Sequence, residues 1–282
     1  IKNENAFIIL TKFLKSNIYT KINVYDFKEK NKILNGNILL KKNKNKLIGD
    51  FVYDVSKKNI VFKESNLTNV FLEGKLGGKI DFLPYFKFNL DVDLKGFNFT
   101  KFHGFLLALD KEKRKGLFKV SNKINGQLNL STNKLYSKYN LIKSFESQIV
   151  FKNGNILVNQ LLLNLGKLGA ADVTGIIKNE KKFSNFSFEN NIFIDNQKYF
   201  YSKFGIYNKK DVSSNLFISG NFDLVNWNMR FHEISTDEKL KKADLEYIEK
   251  EFNDVILEDD YKTFFNFPIL KDFVKLIISE SN

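Results

Sequence analysis

Between positions 70 and 94 every even-numbered residue is apolar, glycine or proline: Val70, Leu72, Gly74, Leu76, Gly78, Ile80, Phe82, Pro84, Phe86, Phe88, Leu90, Val92 and Leu94. The odd positions carry the charge, with Glu73, Lys75, Lys79, Asp81, Lys87, Asp91, Asp93 and Lys95. Successive side chains on a strand point to opposite faces, so a period of two held this long dictates strands with one dry face and one wet face. The Gly77-Gly78 pair reads as a turn, which leaves residues 79–95 as one amphipathic strand. At ~3.3 Å per residue such a strand is roughly 50 Å long. Pro84 cannot donate to a ladder and marks an edge, a bulge or a break inside it. The apolar face stays in phase on both sides of the proline.

The same alternation recurs along the chain. Leu47, Gly49, Phe51, Tyr53 and Val55 form one such set, and Phe118, Val120, Ile124, Leu128 and Leu130 another, the latter entered through a charged turn, KEKRKG. Phe186, Phe188, Ile192 and Ile194 follow, then Leu216, Ile218, Phe222 and Leu224. In residues 144–177, Ile149 and Phe151 share a face, Asn153-Gly154 breaks the run, and Ile156-Leu157-Val158 restarts it. Asn-Gly between apolar strands predicts a type I′ hairpin, because both residues tolerate positive φ. Asn-Gly-Asn-Ile-Leu occurs at positions 35–39 and again at 153–157, with the related Asn-Gly-Gln-Leu at 125–128. The chain thus reads as one hairpin design repeated.

Helical spacing is confined to a few places. Phe102, Phe105, Leu106 and Leu109 predict a short helix over 101–110, and residues 197–204 allow another. Residues 4–14 fit a short helix and an edge strand equally. At Ser235 the character changes: Ser235-Thr236-Asp237-Glu238 has the form of a capping box. Leu240, Ile248, Phe252 and Ile256 then recur at helical spacing, and a second helix is expected after Pro268. The expected organisation is a β region over 1–234 and a helical segment over 235–282.

Composition narrows the function. The formal net charge is +13, which invites nucleic acid or an anionic membrane as partner. Only Arg114 and Arg230 are arginines, whereas bidentate phosphate and base contacts favour that residue, and the lysines are scattered singly. No nucleic-acid partner is expected; weak attraction to an anionic membrane is. Cysteine is absent, which removes disulfides and thiol chemistry. No stretch approaches the ~18 apolar residues a membrane-spanning helix needs. The chain opens on Ile, not Met, so it is expected to be a clipped or incomplete chain.

No catalytic or metal constellation stands out. His103 and His232 are the only imidazoles and neither has metal-ligand spacing. His232-Glu233 with Asp237 reads as an exposed strand end. The acids Asp244, Glu246, Glu249, Glu251, Asp254 and Glu258 are spread around a helix as a solvated face. Gly74-Lys75-Leu76-Gly77-Gly78 lacks the strand–loop–helix setting of a phosphate loop and reads as turn glycines. The expectation is a protein without catalytic residues, cofactor or metal.

What the long one-sided faces need is a partner. Either two sheets pack as a sandwich, or a sheet curls into an elongated groove whose apolar wall holds long hydrocarbon chains. At ~0.8 kcal/mol per buried methylene a diacyl lipid is well held in the second. Lys123 to Leu130 (KINGQLNL), the linker over 135–141 and residues 144–177 resemble the C-terminal region of the AsmA-like family of TamB-related envelope proteins. Phe145, Ile149, Phe151, Asn153-Gly154, Ile156, Val158, Leu161, Leu163, Lys167, Gly169, Val173 and Gly175 fall on the family's pattern. The resemblance implies a periplasmic protein anchored in the inner membrane by an N-terminal segment outside this chain. It implies a β-groove that binds or conducts phospholipid, or another acyl lipid, towards the outer membrane. On that reading Ile80, Phe82, Phe86, Phe88, Leu90, Val92, Phe118, Val120, Ile149 and Phe151 line the groove. The alternatives are an assembly factor for outer-membrane proteins that works through strand edges, and an enzyme of envelope glycans, which needs clustered carboxylates beside exposed aromatics.

Overall fold

A computed structural model of the chain describes residues 7–13, 18–28, 32–137, 139–179, 184–207, 215–236, 238–257 and 267–280. The first strands are β1 (Phe7–Phe13), β2 (Ile18–Lys28), β3 (Ile33–Lys42), β4 (Asn45–Asp54), β5 (Asn59–Thr68), β6 (Leu72–Asp81) and β7 (Lys87–Asn98). The remainder are β8 (Asn125–Thr132), β9 (Leu135–Tyr136), β10 (Ser144–Lys152), β11 (Asn155–Asn164), β12 (Gly169–Asn179), β13 (Ser184–Ile194), β14 (Asn215–Asp223) and β15 (Asn228–Ser235). All 15 belong to one sheet, in which each strand lies beside its neighbour in sequence apart from the short β9, which pairs with β7. The fold is therefore mainly β, as the alternation dictates, and the described strands build one sheet rather than the two of a sandwich.

Most pairings are antiparallel, but β7 runs parallel to β8 and to β9. A parallel neighbour demands a crossover back to the starting end. Helices α1 (Phe99–Leu107) and α2 (Lys111–Phe118) supply it. Asn98 caps α1 by accepting the Lys101 N–H, and Asp110 caps α2 by accepting that of Lys113. The second cap corrects the sequence reading. KEKRKG is a helix, because an aspartate N-cap precedes strong helix formers. Strand β8 then starts only at Asn125, so Phe118 closes α2 and Val120 lies in a connection, and neither stands on the sheet.

Two further expectations change. Gly77 and Gly78 make no turn: they pair with Asp91 and Leu90 in mid-ladder. The reversal falls at residues 82–86, around Pro84, so the long strand is two strands. The capping box is also not formed. Ser235 ends β15 opposite Phe217 and bridges to Lys239, so the chain enters α4 (Lys242–Glu251) from Lys241 without a side-chain cap. The strand claims the serine before a helix can. As expected, α1 covers most of 101–110, α3 (Gln197–Phe204) forms, and α5 (Phe267–Glu280) carries Pro268 in its first turn. Of residues 4–14, the described part is strand β1.

The helical tail closes the last edge of the sheet. Ile248, Phe252 and Ile277 are buried with Leu216, Met229, Phe231 and Ile234 in one core. A π-helical turn, Phe252–Leu257, follows α4 and carries Asn253. The Asn253 carboxamide accepts from the Met229 N–H and donates to its carbonyl, each at 2.8 Å. Glu249 accepts the Phe231 N–H at 2.9 Å, and Leu240 donates to the Ile234 carbonyl. These groups stand where a sixteenth strand would pair, which is how an edge is blunted. Asn253→Ala strands a half-buried N–H and carbonyl on β15, so it should cost about 1–3 kcal/mol in urea unfolding and increase aggregation measured by light scattering.

Candidate functional site

Hydrogen-bonded partners in a ladder share a face, so the register can be followed across the whole sheet. Starting from Phe7, one rank runs Val24, Gly36, Phe51, Phe62, Gly78, Leu90, Leu128, Ile149, Val158, Gly175, Phe188, Gly220, Phe231, each the partner of the next. No polar side chain interrupts it. A parallel rank towards the 82–86 turn includes Ile60, Ile80, Phe88, Phe151, Ile156, Ile177, Phe186 and Phe222. On the other side, a third holds Leu76, Val92, Leu130, Leu161, Val173 and Ile218, with Ser65, Ser147 and Asn190 as its polar members. Ser147 donates to the Leu130 carbonyl, whereas Ser65 Oγ and Asn190 Oδ1 are buried with no hydrogen-bond partner. Mid-sheet side chains such as Phe88, Leu90, Leu128 and Ile149 are half-buried.

The glycines in these ranks explain how so many phenylalanines fit. A Cβ at Gly126 would lie 2.6 Å from the Phe88 ring, and one at Gly175 would lie 2.7 Å from the Phe186 ring. At Gly36 it would lie 2.7 Å from Phe51. The rings occupy the space a side chain would take, and over Gly126 the rings of Phe88 and Phe151 meet at 5.3 Å. This is why Asn35-Gly36 and Asn125-Gly126 sit inside strands, contrary to the repeated-hairpin expectation. Only Asn153-Gly154 turns the chain, with φ of 52° and 81°. On β6–β8 the opposite face is polar, with Asn129 on Asp91, Ser131 on Asp93, and Lys79–Asp81 and Lys95–Glu73 pairs, whereas Val52, Val61, Val150, Leu157 and Ile176 put apolar side chains on it elsewhere.

Of the residues nominated from sequence, Ile80, Phe88, Leu90, Val92, Ile149 and Phe151 stand together on the apolar face. Phe82 and Phe86 lie at its rim, linked to it through ring contacts Tyr53–Phe82, Phe82–Phe86 and Phe86–Phe88 at 6.2–6.4 Å. Phe118 ends α2 and Val120 lies in the connection to β8, outside the strands of the sheet. The face also takes in Leu128 and Leu130 between β7 and β10, and Phe62, Phe186 and Phe188 beyond them. Their alternation was visible in sequence, but alternation within a strand carries no register between strands.

Helices cover the far end of the strands. Leu94, Leu135 and Phe145 are buried with Phe97 and Phe99 beside them. Next to that cluster, Leu168, Ile194, Phe200 and Phe204 pack with Leu141, Phe267 and Val274. The end marked by Phe82, Phe86 and Phe88 is where the connection from α2 enters β8, with the Asn125 N–H donating to the Phe86 carbonyl. A shallow concavity of about 340 Å³ opens by Thr68, Val70 and Tyr136, and another of about 570 Å³ by Glu189, Ser219 and His232. Neither is built from the nominated residues.

Two titratable groups have a shifted pKa, and both lie off the apolar face. The Lys57 backbone N–H donates to Asp54 and holds that partly shielded carboxylate below its usual range. Burial in α1, where His103 stacks on Phe99, lowers the imidazole. Among the described residues no three His, Cys, Asp or Glu side chains are grouped to hold a metal ion, and no helix is long and apolar enough to cross a membrane. No family model, curated protein or solved structure matches this chain. Gly126→Ala forces a methyl group against the Phe88 ring and carbonyl. It should cost about 1–3 kcal/mol in urea unfolding, and Gly104→Ala, which meets nothing within 4 Å, should not destabilise the chain.

Proposed function

We propose that the chain is a lipid-handling β-groove protein of AsmA-like type, binding or conducting phospholipid between the inner and outer membranes from the periplasm. It acts without catalysis: acyl chains lie along the apolar ranks, and head groups stay at the wet rim. The observation that carries the reading is the rank from Phe7 to Phe231, which crosses fourteen strands without a polar side chain. A soluble sheet leaves a face this apolar open only if something else covers it. Anchoring would come from a segment outside this chain. The ring-over-glycine floor favours sliding chains over one tightly shaped ligand, since rings lie against Gly126 and Gly175 where side chains would otherwise stand.

The rival reading, an assembly factor that pairs with client strands, needs an open sheet edge. At β15 that edge is taken by Asn253, Glu249 and Leu240. This favours the lipid reading, with β1 left as the edge a client would use.

Mass spectrometry of an organic extract of the purified chain should find diacyl lipid, and Phe86→Asp with Phe88→Asp should abolish it while circular dichroism keeps its β signature. An extract free of lipid, or variants that simply unfold, would identify the face as ordinary core.

A further inference from the structure

The turn between β6 and β7 departs from what a turn is made of. Tight reversals normally use Gly, Asn, Asp or Ser, yet this one reads Phe82-Leu83-Pro84-Tyr85-Phe86. Its apolar groups face solvent: Tyr85 is 76% exposed, Leu83 53% and Phe82 43%. Leaving them in water is unfavourable by the same area term that drives burial elsewhere. The surrounding end of the sheet is basic. Asp54 and Asp81 are paired with Lys57 and Lys79. Lys87 pairs with Asp81, the Lys32 carbonyl accepts the Val55 N–H beside Asp54, and the connection into β8, which carries Lys119 and Lys123, passes the 153–154 turn beside Lys152. An apolar, aromatic tip inside a ring of lysines is complementary to one kind of partner, a bilayer with anionic head groups.

We propose that the 82–86 turn is the membrane-docking tip of this chain. Leu83 and Phe82 enter the acyl boundary, Tyr85 sits at the head-group level with its hydroxyl in water, and the lysines hold the anionic surface. The tip is continuous with the inner face. Rings of Phe82, Phe86, Phe88 and Phe151 succeed one another at 5.3–6.3 Å from the exposed turn to the floor over Gly126. A chain leaving the bilayer at this point meets aromatic surface without a polar gap. That second step rests on the lipid-groove reading; the docking does not.

The test uses the full 282-residue chain and vesicles of equal parts phosphatidylglycerol and phosphatidylcholine. Because the chain has no cysteine, Tyr85→Cys gives a single attachment point for an environment-sensitive dye, whose emission should shift to the blue when vesicles are added. In co-sedimentation, Leu83→Ser with Tyr85→Ser should weaken vesicle partitioning about tenfold. Circular dichroism should stay that of the parent, since both side chains are already exposed. Lys87→Glu with Lys123→Glu should weaken binding to these vesicles and make the remainder less sensitive to salt. A dye that does not respond, or a serine variant that sediments like the parent, overturns the proposal, including the case where the turn serves a protein partner instead. If the serine variant loses vesicles while the parent carries no extractable lipid, the docking tip stands and the lipid-groove reading falls. If lipid is extracted but the serine variant still sediments, the groove reading stands and the docking tip falls.

Discussion

Cross-strand register is the constraint from which the rest of this molecule follows. Each hydrogen-bonded pair puts two residues on the same side of the sheet, and a slip of one residue would turn a whole strand inside out. Here the pairing keeps apolar partners together from Phe7 to Phe231, and where the phase would drift, a register shift restores it. Such shifts occur beside Tyr25, Lys95, Asn159 and His232, each adding a residue to one strand. A bulge of this kind bends the strand and increases its twist. The same device therefore preserves the apolar face and curves it, so the chemistry and the shape of the wall have one origin.

The phenylalanine content would be hard to accommodate without the glycines beneath the rings. A ring lying over a neighbouring glycine buries apolar area within a single layer and needs no second sheet above it. That solution explains two features together: the high phenylalanine count, and a face whose members are half-buried rather than packed out of reach. The helices act at the margins. The α1 and α3 clusters cover one end of the strands, and α4 and α5 cover the last ones.

Fold class was legible in the sequence because a period of two survives every local irregularity. Six of the ten nominated wall residues share the face for that reason, and Phe82 and Phe86 reach its rim. The failures have a common cause, which is that one residue type serves two physical ends. Glycine next to asparagine reads as positive φ, and at Gly154 it is; at Gly36 and Gly126 it is an absent Cβ that admits a ring. Gly78 combines a φ of 118° inside a ladder with close approach of the Asn89 and Leu90 backbone. Phe118 continued the alternation of Leu128 and Leu130 in print, but Asp110 capped a helix through it. Ser235 offered a capping box and was instead held by its strand. In each case a tertiary partner that sequence does not display decided between two locally valid structures.

The asparagine that imitates a strand at β15 has a consequence for how copies of this sheet can meet. Long open sheets grow into fibres by adding edge to edge, and that growth requires two reactive ends on every unit. This unit has one. With β15 occupied by its own helix, pairing between copies through β1 would close after a single event, as a monovalent reagent ends a polymer. A wide apolar wall can then be displayed at high concentration without the chain becoming its own template.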